Sequence, residues 1–182
     1  MEIEVISERI DQVQTNNAPE KISGRPLTED EQGKFKSSLR VAFKHIENAN
    51  TESSPDVIVA AIDDHIRKWK NEQKSFMNKL FNRAPKESAS DLSNSLGILW
   101  GTQLVTRFHW EWVEVDDGSK KVIGVASPER AFVLYPQAHI RKALSGEDME
   151  TAILASFRSV AGERMPPSAP GSYKDIMTAF RR

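Results

Sequence analysis

The stretch from Leu96 to Val115, LGILWGTQLVTRFHWEWVEV, changes its hydrophobic period partway along its length. Up to Phe108 the apolar residues recur at helical spacing, whereas from His109 onwards they alternate with polar residues, as in a half-buried strand. A helix therefore runs almost directly into a strand. Because both elements come from one short segment and share a core, this junction constrains the fold more than any other feature of the sequence.

Two glycines, Gly97 and Gly101, lie one turn apart on the same face of the predicted helix. Glycine in a helix interior costs about 1 kcal/mol relative to alanine. A pair of them therefore indicates a compensating gain, which we interpret as the close approach of another backbone, either the sheet or a neighbouring helix. A functional groove along the bare strip is the alternative interpretation.

Capping residues indicate where three helices begin, each ahead of an apolar stripe at helical spacing. The pairs are Thr28 with Glu31, Ser54 with Pro55, and Ser88 with Asp91. The helix that starts at Pro55 is expected to extend to about Phe81. Its second half is rich in lysine and arginine, which favours either a solvated basic face or a surface for phosphate groups or an acidic protein.

The runs HWEWVEV, KKVIGVAS and AFVLY predict three short strands. Gly118 suits the turn between the first two strands, and Pro128 suits the turn before the third. Helical patterns return after Pro136, and Ser172 is expected to cap a last helix that carries Tyr173. This order predicts an α+β fold in which a three-stranded antiparallel meander is wrapped by about six helices.

The length of 182 residues fits one domain. Residues 1–27 include the turn-rich run TNNAPEKISGRP and are interpreted as a loosely ordered N-terminal segment. Residues 28–86 are interpreted as a helical pair, and residues 87–182 as the core of an α+β domain. Residues 28–182 are expected to form one compact unit.

Composition disfavours several classes of protein. The formal net charge is -1, which argues against the basic footprint of a nucleic-acid-binding protein. The chain has no cysteine, so disulfides, thiol catalysis and cysteine-based metal sites are excluded. The acidic start MEIEVISERIDQVQ does not resemble a secretory signal, and no apolar run approaches the ~18 residues of a membrane span. We therefore expect a soluble cytoplasmic protein.

The first predicted strand has two mixed faces. Trp110 and Trp112 share one face with Glu114, while Glu111 lies on the other face together with valines. One interpretation places the tryptophans in the core. The other leaves one of the two tryptophans partly exposed as part of a binding surface, as tryptophans at interfaces often are.

The first strand and its turn carry an excess of acids. We interpret the set as a partner-binding surface that attracts a basic protein and speeds their encounter. A solvated turn that discourages association between strand edges is the alternative. The predicted partner-binding residues are Trp112, Glu111, Glu114, Asp116 and Asp117.

No pattern in the sequence indicates a catalytic or metal site. The four histidines, none of them paired at a metal-binding spacing, are His45, His65, His109 and His139. Glu111 near His109 or His139 is the one candidate acid–base couple. No loop of the phosphate-cradling kind is present. We therefore predict no metal, no cofactor and no enzymatic activity.

The second half of the chain resembles an uncharacterised bacterial domain family of unknown function, from about Asp91 to Met177. The shared features are a glycine-spaced helix, a tryptophan-bearing first strand, a Ser-Pro turn and a strand ending in Tyr-Pro. The matching residues are Gly97, Gly101, Trp110, Trp112, Val113, Ser127, Pro128, Tyr135 and Pro136. The resemblance brings no reaction or cofactor with it.

By analogy, small proteins of this kind resemble immunity or accessory partners of secreted bacterial toxins. The resemblance thus implies a non-enzymatic protein-binding module, in its most concrete form an immunity-type protein that binds and inhibits a bacterial toxin. An adaptor or accessory protein of a secretion or toxin system is the alternative, followed by an unrecognised enzyme. The expected partner is another protein rather than nucleic acid or a membrane, and the acidic hairpin favours a basic one.

Overall fold

A computed structural model describes residues 22–78, 88–145, 153–162 and 165–179. The predicted end, near Phe81, of the helix that starts at Pro55 lies outside this part of the chain. In these ranges the chain forms an α+β fold, which confirms the predicted class.

The sheet has five strands in the order β1-β2-β3-β4-β5, so the prediction of a three-stranded meander gave two strands too few. The central strands β2, β3 and β4 do pair antiparallel in succession. Strand β1 adds antiparallel to β2, and β5 adds parallel to β4, which makes the sheet mixed. The strands are β1 (Ser23–Pro26), β2 (Glu111–Asp116), β3 (Lys121–Ala126), β4 (Phe132–Leu134) and β5 (Lys174–Asp175).

Both added strands come from segments that were interpreted differently. Strand β1 lies inside the N-terminal segment that was expected to be loosely ordered. The last helix was expected to begin at Ser172, but Tyr173 has a left-handed φ of 46° and β5 follows it. Pairing with β4 holds this segment extended, which local sequence signals do not reveal.

The three helices with caps predicted at Thr28, Ser54 and Ser88 begin where those residues indicated. Thr28 and Glu31 form the predicted capping box, and the Ser88 side chain accepts a hydrogen bond from the Asp91 backbone N–H. The first predicted helix is divided into two at Lys34. The helices are α1 (Glu29–Gly33), α2 (Phe35–His45), α3 (Pro55–Asn78), α4 (Ala89–Phe108), α5 (Pro136–Ser145), α6 (Ile153–Ala161) and α7 (Ile176–Ala179).

Helix α4 is the centre of the molecule. It packs against α2, α3 and α5 and is buried on most sides, with Trp100 fully enclosed. Trp110 and Trp112 belong to the same apolar core, which lies on the helix-covered face of the sheet. The other face carries a smaller cluster formed by Val113, Val115, Ala126, Val133 and Tyr173.

The two glycines of α4 are sites of close approach, as predicted. A Cβ placed on Gly97 would lie 2.6 Å from the Cα atom of Gln137, in the first turn of α5. A Cβ placed on Gly101 would lie 2.6 Å from Trp112 Cζ2 and 3.0 Å from Pro136 Cγ. The surface of α4 at Gly97 and Gly101 therefore packs against both the start of α5 and the Trp112 indole of β2.

Candidate functional site

The turn of the β2–β3 hairpin is fixed by the side chain of Asp117. Its Oδ1 atom accepts hydrogen bonds from the backbone N–H of Ser119 at 3.0 Å, the Ser119 hydroxyl at 2.7 Å and the Lys120 N–H at 3.0 Å. These bonds, with the Ser119 hydroxyl contributing most, lower the pKa of Asp117. Gly118 has the positive φ, 85°, for which a glycine was predicted here. The hairpin therefore ends in an ordered turn.

Glu114 lies within a row of alternating charges that crosses four elements. Its Oε1 atom is 3.4 Å from Arg25 Nε on β1 and 3.5 Å from Lys121 Nζ on β3. Arg25 in turn pairs with Glu31 on α1 at 2.8 Å. The hydrogen bond from Arg25, followed by the Thr28 backbone bond, lowers the pKa of Glu31 to about 2. The row ties the outer part of the hairpin to β1 and α1.

Glu111 lies on the opposite face of β2 and pairs with Arg130. The Arg130 Nε atom donates to Glu111 Oε1 at 3.0 Å, and its Nη1 atom donates to the Gly24 carbonyl of β1 at 2.8 Å. The hydrogen bond to Glu111 is the largest influence that raises the pKa of Arg130. Glu111 therefore pairs with Arg130. The structure does not show the candidate acid–base couple of Glu111 with His109 or His139.

Trp112 supports the hairpin from inside. Only 4% of the residue is exposed, and its ring lies 4.8 Å from that of Phe35. The interpretation that places both tryptophans in the core is therefore the one the structure shows. Trp112 therefore has almost no exposed surface to offer a partner, and its ring packs the strand against the core.

The exposed apolar residue of the hairpin is Ile123, which sequence reasoning missed. It is 37% exposed and lies opposite Glu114 in the β2–β3 register, so the two side chains share a face. The alternation of the KKVIGVAS run already placed Ile123 on one face, but the sequence did not show which face helices would cover.

A cleft of about 560 Å³ lies between the end of α2 and the first half of α3. Its charged residues are largely engaged with each other, since Lys68 pairs with Glu47, and Arg67 bridges Asp63 and Asp64. The hydrogen bonds in these pairs are the largest influences that lower the pKa of Glu47 and raise those of Lys68 and Arg67. The lining residues are Glu47, Asn48, Val57, Ala60, Ala61, Asp64, His65, Arg67, Lys68 and Asn71.

Within the described ranges, no three His, Asp or Glu side chains converge as in a metal site. Of the helices in those ranges, none combines the length and the apolar character needed to cross a bilayer.

The fold and the site define a class: an α+β chain whose mixed sheet is covered by helices on one face and carries a hairpin with an excess of acids. Residues 68–153 match the family model described as Domain of unknown function (DUF3806). The matching segment runs from α3 to the start of α6, and the match confirms the predicted resemblance to an uncharacterised family. No curated protein and no solved structure matches the chain significantly.

Proposed function

We propose that this chain is a non-enzymatic module that binds another protein through the β2–β3 hairpin. In its most concrete form it is an immunity-type protein that binds a bacterial toxin and blocks access to the active site. The proposal is supported by the way in which the hairpin presents its carboxylates.

Each of the four acids uses one oxygen to hold the hairpin and keeps the other available. The contacts in the described part of the chain involve Oε1 of Glu111 and Glu114 and Oδ1 of Asp116 and Asp117. Their second oxygens, in side chains that are all partly exposed, accept no hydrogen bond from the described residues. A carboxylate oxygen accepts hydrogen bonds from lysine and arginine, so the hairpin suits a basic partner.

The ordered turn reduces the entropic cost of binding. The Asp117 hydrogen bonds and the buried Trp112 fix the hairpin before any partner arrives. Binding of a fixed element loses less conformational entropy than binding of a mobile loop. Ile123 adds an exposed apolar side chain on the face shared with Glu114, and a mixture of apolar and charged groups of this kind is common at protein interfaces.

The binding test uses the product of the gene adjacent to that of this chain, because immunity genes lie beside toxin genes. Glu114→Lys combined with Asp116→Lys is expected to weaken binding about tenfold or more, since the reversed charges repel a basic partner. Glu52→Lys is the matched control, because the Glu52 side chain is exposed and forms no hydrogen bond or ion pair within the described residues. Unchanged affinity of the double variant, with the fold intact by circular dichroism, removes the hairpin from the proposal.

A second test separates immunity from a general adaptor role. Deletion of the gene is expected to poison cells only while the neighbouring toxin gene is intact, and wild-type protein is expected to restore growth. The double variant should fail to restore it. Equal growth of both deletion strains, together with tight binding, indicates an adaptor or accessory protein instead.

A further inference from the structure

Three buried polar atoms in and beside α5 lack hydrogen-bond partners among the described residues. His139 is 4% exposed, and neither of its ring nitrogens has a hydrogen-bond partner in the described part of the chain. The Nε1 atom of Trp100 is also buried without a hydrogen-bond partner there. The centroids of the Trp100 and His139 rings lie 6.1 Å apart, edge to face at 76°. Buried polar atoms are nearly always bonded, so a group of unbonded ones calls for a physical reason.

The nearest charge to His139 is the carboxylate of Asp175 on β5. Asp175 Oδ1 lies 3.7 Å from His139 Nε2, slightly beyond hydrogen-bonding distance. The same oxygen accepts a hydrogen bond from the Met177 N–H at 3.0 Å, at the start of α7. Burial, the largest single influence, raises the pKa of Asp175, but His139, the Met177 N–H and Lys142 together lower it. The carboxylate is therefore ionised across the range in which histidines titrate.

We propose that His139 and Asp175 form a pH-dependent latch that fastens the C-terminal segment β5–α7 to α5. On protonation, His139 Nε2–H donates a charge-assisted hydrogen bond to Asp175 Oδ1 after a movement of less than about 1 Å. A neutral imidazole makes a weaker bond or none. The segment is thus held more tightly as the pH falls through the histidine range, until Asp175 itself becomes protonated.

The groups around the pair favour this assignment. Asp175 is the ionised group that lies beside the His139 ring. Lys142 on α5 is the cation acting on Asp175, and Tyr135 at the end of β4 remains neutral here because burial raises its pKa. Trp100 from α4 and the side chains of β4 that pack nearby carry no charge.

The latch acts on a segment with wider contacts. Asp175 pairs with Val133 of β4, and Tyr173, two residues earlier, places its hydroxyl 3.3 Å from the Gly24 carbonyl of β1. Strand β5 and edge strand β1 are therefore connected through one tyrosine. This inference does not depend on the proposed binding function.

The test is amide hydrogen exchange on the full chain at about pH 5 and about pH 8, corrected for intrinsic rates. Peptides that cover residues 174–178 are expected to be about tenfold more protected at the lower pH, and His139→Gln should abolish this difference. His109→Asn is the control, because it removes an exposed histidine while asparagine tolerates the left-handed φ of 57° at that position. Equal protection at both pH values in the wild type, or a retained difference in His139→Gln, overturns the proposal.

If His139→Gln does not fold, Asp175→Asn and a nuclear magnetic resonance titration of the His139 ring provide the same test. The ring is expected to titrate in the wild-type chain and to take up its proton at a lower pH in Asp175→Asn. A His139 ring that stays neutral down to about pH 5, or titrates identically in both chains, contradicts the latch.

Discussion

At the scale of single residues, Gly101 carries a specific steric demand. A Cβ there would enter the space of the Trp112 indole and lie 3.0 Å from Pro136 Cγ. Overpacking of a dense core costs about 1–3 kcal/mol, which outweighs the ~1 kcal/mol by which alanine is the better helix former. Gly101→Ala is therefore expected to lower the free energy of unfolding, as measured by urea denaturation.

Gly33 offers the matched control for that measurement. It ends α1, and a Cβ added there would meet no atom within 4 Å. Gly33→Ala is expected to leave the free energy of unfolding unchanged or to raise it by up to about 1 kcal/mol. Equal effects of the two substitutions would show that helix propensity, and not the contact with Trp112, sets the choice of glycine.

The stability contribution of Glu31 depends on pH. Its pKa falls from an ordinary value of 4.5 to about 2 on folding, so its contribution is present above 4.5 and is lost as the pH falls towards 2. The unfolding free energies of the wild type and Glu31→Gln should therefore differ at neutral pH and converge near pH 2. Glu52→Gln serves as control, and a constant difference between wild type and Glu31→Gln contradicts the assignment.

Local signals at this scale were readable from sequence. Thr28 with Glu31 and Ser88 with Asp91 cap helices as predicted, because capping needs only residues a few positions apart. The surroundings of Glu111 were not readable. Arg130, which holds it, lies on a different element and has a left-handed φ of 56° that no local rule for arginine anticipates.

At the scale of elements, α4 determines where α5 can lie. A Cβ on Gly97 would lie 2.7 Å from the backbone N atom of Gln137, and a backbone atom cannot turn aside as a side chain can. Gly97→Ala is therefore expected to displace α5 and to reduce the unfolding free energy more than Gly101→Ala does. Urea denaturation of both variants compares them, and the reverse order would contradict the close packing of α4 on α5.

The sheet shows why elements were only partly predictable. The hairpin of β2 and β3 was indicated by alternation and by Gly118, since both signals are local. Strands β1 and β5 are short and exist through pairing with β2 and β4, residues far away in sequence. The face of β2 that the helices cover also depends on distant residues, which is why two interpretations of Trp112 remained open.

At the scale of the whole molecule, the family segment 68–153 contains α4, the hairpin and α5, while β1, α1, α2 and β5 lie outside it. Outer elements are joined to the segment by particular contacts, such as Arg25 of β1 with Glu114 and Asp175 of β5 with Val133. The class and the central architecture could thus be predicted from sequence. The proposed function rests on the partly exposed carboxylates of the hairpin, whose arrangement only the folded chain reveals.

The most direct measurement is the association rate constant of this chain with the neighbouring gene product at increasing ionic strength. The rate is expected to fall as salt screens the hairpin carboxylates, and this dependence should largely disappear in the Glu114→Lys, Asp116→Lys variant while Glu52→Lys retains it. The same rate and the same salt dependence in the wild type and the double variant would contradict the account.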